Sequence, residues 1–363
     1  MSTSSASNAP VRLPGRLGDP DMTLGGDPRI DPRLAAAVAS LGLDGHTPEV
    51  PLTRATPLDQ LLAALAEMEK NFEQVFTGVL EGVAPISGVS IETVSITGVD
   101  GNEIALYVHR PTGAGDGPLP AVVHLHGGGM VVLAASDPAY MHYRNALAAA
   151  GMVAIGVEFR NGAGKLGVHP FPAGLNDCAS GLLWVLDNAD ELGVGKVIVS
   201  GESGGGNLTL AVALKAQREG WASRIGGLYA QCPYISNQWD APPAELPSLH
   251  ENARYFLGND VLTLLGEAYD PGGKNAGDPT CWPLRASDAD LTGLPPHVIS
   301  VNELDPLRDE GLAYLRRLMA NGVSAVGRTV HGTSHAADVL FPGQLPDVHA
   351  ATIRDIVGFA GSL

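Results

Sequence analysis

The residues most able to do chemistry are Gly201-Glu202-Ser203-Gly204-Gly205, which follow the β-branched run Val197-Ile198-Val199 and open a helical pattern. A G-x-S-x-G sequence in that context puts its serine on a sharp strand-to-helix turn. The neighbours at i−2 and i+2 must be very small, because the backbone closes tightly there. The hydroxyl then projects above the sheet at a helix N-terminus, where the dipole and free amides favour negative charge. A second signal, His126-Gly127-Gly128-Gly129, directly follows an apolar strand. Glycines let backbone N–H groups face a ligand, which in acyl transfer is the oxyanion of a tetrahedral intermediate. A phosphate-cradling loop would need a later glycine or a Gly-Lys-Ser/Thr run, and the sequence has neither in place. His126 itself is expected to bond the loop rather than move protons.

A serine hydroxyl is a weak nucleophile at neutral pH. It needs an imidazole base, and the imidazole needs an anion to fix its tautomer. In this setting the chain order is serine, acid, histidine. Asp305, in Asn302-Glu303-Leu304-Asp305-Pro306-Leu307, lies just beyond a late strand and before a helix, with Glu303 and Asp309 as competitors. His331 and His335 both follow the last strand, and His335 sits further out on its loop. His109, His124, His142, His169, His250, His297 and His349 fall in the wrong order or element, so ordinary core or surface roles suffice for them.

The apolar periodicity names the elements that must hold these groups. Residues 1–28, rich in Gly, Pro, Ser and Asp, read as an arm. Helices are predicted over 32–43 and 58–79; in the second, Leu58, Leu61, Leu62, Leu65, Met68, Phe72, Val75 and Phe76 step by three or four along one face. Strands over 89–96 and 104–108 pair across the turn signal Asp100-Gly101. Strands at 121–125, 152–157, 197–200, 228–231, 298–301 and 325–330 then alternate with helices at 139–150, 175–192, 204–217, 307–320 and 348–359. This pattern predicts an α/β fold with an eight-stranded, mostly parallel sheet covered on both faces. About 65 residues separate the strands near 231 and 298, far beyond an ordinary loop. Tyr234, Trp239, Tyr255, Phe256, Tyr269 and Trp282 crowd there, as expected of an insertion over the C-terminal edge of the sheet, where such folds bind ligands.

Taken together, these motifs resemble the hormone-sensitive-lipase-like branch of the α/β-hydrolases. The resemblance rests on His126-Gly127-Gly128-Gly129-Met130, Phe159-Arg160-Asn161, His169-Pro170-Phe171-Pro172, Gly201-Glu202-Ser203-Gly204-Gly205-Gly206-Asn207-Leu208 and Asn302-Glu303-Leu304-Asp305-Pro306-Leu307-Arg308-Asp309-Glu310-Gly311. It also includes Leu17-Gly18-Asp19-Pro20 of the arm, and so covers nearly the whole chain. It implies an α/β-hydrolase fold with a helical cap. Residues 1–85 would form the arm and cap helices, 86–232 and 295–363 the two parts of the core, and 233–294 the cap insertion. It implies Ser203 as nucleophile, Asp305 as acid, His335 as base, and the amides of Gly128, Gly129 and Gly204 as oxyanion hole. The activity implied is a serine carboxylesterase acting through an acyl-enzyme on bulky, lactone or aromatic esters. Amidase, peptidase or lipase chemistry on the same triad, and an inert ligand-binding role, are the alternatives. Met130, Glu202, Tyr234, Trp239, Tyr255 and Phe256 are the expected substrate contacts. The branch usually has Asp before the nucleophile and Ala after it, where this chain has Glu202 and Gly204, and Ala336 stands where Gly is common.

Composition narrows the partners. The chain has 363 residues, 45% hydrophobic and 17% charged, which suits a large folded core. Its 22 basic against 39 acidic residues give a net charge of −17, which argues against nucleic acid and anionic membrane surfaces. A small-molecule ester is the expected partner, with a homo-oligomer as an open option. Cys178, Cys232 and Cys281 lack the spacing of metal ligands and read as buried free thiols, so no metal and no cofactor is expected. The Ser/Ala/Asn-rich start lacks the apolar core of a signal peptide, and a cytoplasmic location is expected.

Overall fold

The computed structural model describes residues 13–113, 115 and 117–363; the first twelve residues of the expected arm lie outside the described residues. The strands are β1 (Val89–Thr97), β2 (Glu103–Pro111), β3 (Leu119–Leu125), β4 (Val153–Val157), β5 (Val194–Glu202), β6 (Gly227–Gln231), β7 (His297–Asn302) and β8 (Ala325–Val330). They form one sheet in the order β1-β2-β4-β3-β5-β6-β7-β8. β1 pairs antiparallel with β2, and β2 antiparallel with β4; every other pairing is parallel. The hairpin turns at Gly101, whose φ of +80° a side chain would strain. β4, β6 and β7 are buried at every residue, which is why β4 is an unbroken apolar run and the few polar residues of β6 and β7 (Gln231, His297, Ser300 and Asn302) are themselves enclosed.

Helices flank the sheet. Gly204–Glu219 packs on β3, β5 and β6; Arg308–Ala320 packs on β7 and β8; Pro138–Ala149 packs on β2 and β4; Pro346–Gly361 packs on β3 and β5. Two expected helices are shorter than their apolar pattern. The helix expected over 32–43 is Pro32–Ser40, because Gly42 turns the chain at φ +70°. The helix expected over 175–192 is Ala173–Asp187; there Asn188 Nδ2 donates to the carbonyl of Trp184 (2.8 Å), a local bond that competes with another helical turn.

The sheet order decides where the chemistry gathers. β3 and β5 are neighbours with Leu125 opposite Gly201, so the glycine loop and Ser203 leave the sheet side by side. β7 and β8 are neighbours with Asn302 opposite Val330, so the loops carrying Asp305 and His335 do the same. All four segments follow C-terminal ends of parallel strands. Residues 233–294 carry helices Ser248–Glu251, Asn259–Tyr269 and Asp288–Leu291. Their aromatic residues mostly pack on one another: Tyr234 stacks on Trp239 at 4.0 Å, and Trp282 sits edge-on to both and to Tyr269. Among the described residues no helix is long and apolar enough to cross a membrane.

Candidate active site

Ser203 holds the backbone its motif requires. Its φ of +58° and ψ of −117° are strained for a residue with a side chain, and it caps the helix Gly204–Glu219. The turn closes through Ser203 N donating to the Gln231 carbonyl (2.9 Å). The glycines are there for lack of space: a Cβ on Gly201 would lie 2.4 Å from the Leu125 carbonyl, and one on Gly205 1.8 Å from the same oxygen. A Cβ on Gly204 would meet Met130 N at 2.5 Å, so nothing but hydrogen fits where the turn faces the glycine loop.

The glycine loop is held from both sides. Gly128 has φ +95°, and a Cβ there would strike the Val132 carbonyl at 2.1 Å. Gly127 N donates to Glu202 Oε1 (2.7 Å), and the Gly128 carbonyl takes the amides of Val131 and Val132, both at 3.1 Å. Among the described residues the amides of Gly128, Gly129 and Gly204 have no acceptor, although all three glycines are at the cavity or directly against it. His126 is structural, as expected. Its Nδ1 lies 2.8 Å from the Gly127 carbonyl, its ring stacks on Phe159 at 4.2 Å, and burial pushes its pKa down to about 3.

Asp305 and His335 meet. His335 Nδ1 lies 2.8 Å from Asp305 Oδ2, a contact in which an Nδ1–H donates to the carboxylate and Nε2 is left as the ring nitrogen able to accept. Asp305 Oδ1 is occupied by the Leu307 amide at 2.9 Å. Both side chains are buried, and His335 lines the same cavity as Ser203. The competitors stand elsewhere. His331 Nδ1 lies 3.2 Å from Glu303 Oε2, but the His331 side chain is 78% exposed and outside the cavity lining. Asp309 is taken by the Ser248 amide and by Arg308. The Cys232 thiol is close to the Asp305 and His335 pair. Burial and the carboxylates of Asp305, Asp338 and Glu202 hold it protonated, so it packs there as a neutral group.

The expected substrate contacts divide. Tyr234 and Phe256 line the cavity beside Ser203, and Glu202 borders it with both carboxylate oxygens engaged. Met130, Trp239 and Tyr255 do not line it. Trp239 is sealed in the aromatic stack; Tyr255 is buried with its hydroxyl donated to Asp27 Oδ2 (3.1 Å); Met130 is buried behind the glycine loop at φ +61°. Sequence reasoning missed Phe72 and Phe76 as site residues, though both lie on the apolar face of the helix Leu58–Val79 and both line the cavity. The signal was an i, i+4 aromatic pair on a helix outside the sheet core.

A family model described as alpha/beta hydrolase fold matches residues 122–338, which span β3 to the segment just after His335. The chain belongs to the alpha/beta hydrolase family. Its structure is similar to that of brefeldin A esterase, described as a bacterial homologue of human hormone-sensitive lipase, with a TM-score of 0.91 and 44% identity over 96% of this chain and 98% of that one. It is also similar to the esterase Est22, with a TM-score of 0.83 and 38% identity over 93% and 99% of the two chains. Carboxylesterase NlhH of Mycobacterium tuberculosis is 37% identical over 62% of this chain and 69% of its own. This places the alpha/beta hydrolase in the hormone-sensitive-lipase-like branch, among carboxylic ester hydrolases.

Proposed function

We propose that the chain is a serine carboxylesterase that works through an acyl-enzyme on esters with a bulky apolar moiety. His335 Nε2 takes the proton of Ser203, whose Oγ attacks the ester carbonyl. The oxyanion is received by the amides of Gly128, Gly129 and Gly204, each donor contributing on the order of 3–4 kcal/mol to the barrier reduction. His335 returns the proton to the departing alcohol. Water, deprotonated by the same imidazole, then attacks the acyl carbon, and the imidazole passes that proton to Ser203 Oγ as the acid leaves. The observation that carries this reading is the convergence of Ser203, the hydrogen-bonded His335–Asp305 pair and the acceptor-free glycine amides on one cavity.

The substrate part rests on two adjoining spaces. The cavity beside Ser203 is small, about 40 Å³. Against it lies an apolar groove of about 450 Å³ between the helix Leu58–Val79, residues 43–50 and the insertion, and the two share Phe72, Phe256 and Leu257 as walls. An ester with one short part at the serine and one large apolar or aromatic part along the groove matches this shape, and rings can stack on the two phenylalanines. In this reading the helix Leu58–Val79 and residues 233–294 form the cap. Comparing kcat/KM for p-nitrophenyl acetate, a hindered alicyclic ester and a dialkyl phthalate tests it, with Ser203→Ala in parallel. Bulky esters should be preferred over acetate, and the variant should lose turnover by several orders of magnitude. Equal rates across the panel would reject the substrate class, and an active variant would reject the serine mechanism.

A further inference from the structure

The acid and the base of this proposed mechanism sit on two loops, and both loops are tied to residues 27–31, where the N-terminal arm meets the helix Pro32–Ser40. We propose that Asn252 is a positioning residue for Asp305, and that this segment holds Asn252 in place through Arg29. The proposal rests on the serine-esterase reading but concerns a residue outside the cavity lining.

Asn252 is completely buried, and its side-chain amide is fully used. Nδ2 donates to the carbonyls of Glu303 and Asp305, both at 3.1 Å, so its two protons both go to the loop of the acid. Its Oδ1 accepts from Arg29 Nη2 at 3.1 Å. Arg29 in turn grips Asp27 with Nε on Oδ1 (2.9 Å) and Nη2 on Oδ2 (2.7 Å), and it also bonds Glu251. Glu251 receives the fork of Arg308 at 2.9 and 2.8 Å, and Arg308 Nη1 reaches the same Glu303 carbonyl at 3.1 Å. Tyr255 closes the far side through Asp27. The base loop is held from the same segment: Asp31 N donates to the Gly332 carbonyl (2.9 Å), and Gly332 N donates to Glu303 Oε2 (2.8 Å).

Between β7 and the helix Arg308–Ala320 the acid's loop has no regular structure of its own. Without Asn252 the carbonyls of Glu303 and Asp305 each lose a buried donor and are left with Arg308 alone, whose Nη1 and backbone amide reach them at 3.1 and 3.2 Å, so the loop is held from one side only and gains freedom to shift. Any such shift carries the Asp305 carboxylate with it, away from His335 Nδ1. Because Asn252 touches neither the cavity nor the reacting atoms, its effect must appear in turnover rather than in substrate affinity.

The experiment is steady-state hydrolysis of p-nitrophenyl acetate by the full chain carrying Asn252→Ala, Asn252→Asp, Arg29→Met or Ser203→Ala, each checked for a cooperative melt. The aspartate variant keeps an acceptor for Arg29 but has no protons for the two carbonyls. It should therefore behave like alanine, and it decides the matter alone if the alanine variant does not fold. Both should lose roughly tenfold to a hundredfold in kcat, with KM within about twofold of wild type. Arg29→Met should lose less, with the same pattern. A folded Asn252 variant with wild-type kcat, or one whose loss lies in KM, overturns the inference while leaving the triad reading intact provided Ser203→Ala is dead. An active Ser203→Ala removes the triad reading itself.

Discussion

Glu202 stands directly before Ser203, yet both its oxygens face the scaffold. Oε1 accepts the Gly127 amide at 2.7 Å, and Oε2 lies 2.9 Å from His124 Nε2. Behind His124, at 3.5 Å, is the guanidinium of Arg144, which is fully buried. Burial pushes the Arg144 pKa down to about 10, so it stays a cation at neutral pH behind the Glu202–His124 contact. The carboxylate thus turns one loop amide inward and leaves the next two free for the cavity. Glu202→Gln should lower kcat on any ester by about tenfold or more, in keeping with roughly 1.5–3 kcal/mol for a hydrogen bond to a charged group. An unchanged kcat in a folded variant would remove this role. The departure from the usual Asp was legible in the sequence, but its meaning was not, because Gly127 and His124 are brought to Glu202 only by the pairing of β3 with β5. Likewise loop position in the sequence favoured His335 over His331; exposure and the Asp305 contact now separate them. Ala336, where Gly is common in the branch, sits at φ +54°, which explains the usual glycine.

At the scale of elements, the apolar period located the helix Leu58–Val79 and every parallel strand within a few residues. What it did not foresee is how that helix is fastened. Glu69 lies within the apolar face, between Leu65 and Phe76, and is buried. Its Oε1 accepts the amide of Leu133 and its Oε2 that of Lys165, both at 2.7 Å, which pins the helix to the segments behind the glycine loop. Helical periodicity cannot reveal such a bond, because both partners come from loops far along the chain. Glu69→Ala should leave the buried Leu133 amide without an acceptor, release the more exposed amide of Lys165, and cost roughly 1–3 kcal/mol, measured by denaturant unfolding, with faster amide exchange along the helix. A loss below about 0.5 kcal/mol would mean that apolar packing alone seats it.

For the molecule as a whole, buried titratable groups set a stability profile that neither charge nor composition reveals. Burial lowers the pKa of His126 to about 3 and of His109 and His297 to about 4. The stability these neutral rings contribute is present above about pH 6.5, their ordinary value, and is lost as pH falls through the lowered values. Glu310 runs the other way: burial raises it to about 8, with Oε1 on the Ile235 amide and Oε2 unpartnered among the described residues. Its contribution is present below its ordinary range near 4.5 and is lost as pH rises through about 8. Between about pH 4.5 and 8 Glu310 therefore makes stability fall as pH rises, and Glu310→Gln should flatten that stretch of the Tm profile while leaving the loss below about pH 4.5 in place. An unchanged slope over that stretch would contradict it. Pattern made the layered sheet and the insertion readable in advance; the enclosed polar bonds needed the three-dimensional structure.

The central claim is that Ser203 becomes covalently acylated. Intact-mass and peptide mapping after reaction with a small fluorophosphonate tests it most directly. Expected is one adduct per chain, on the peptide bearing Ser203, absent in Ser203→Ala and greatly slowed in His335→Ala. An adduct on another residue, or full ester hydrolysis by protein that stays unlabelled at Ser203, would contradict it.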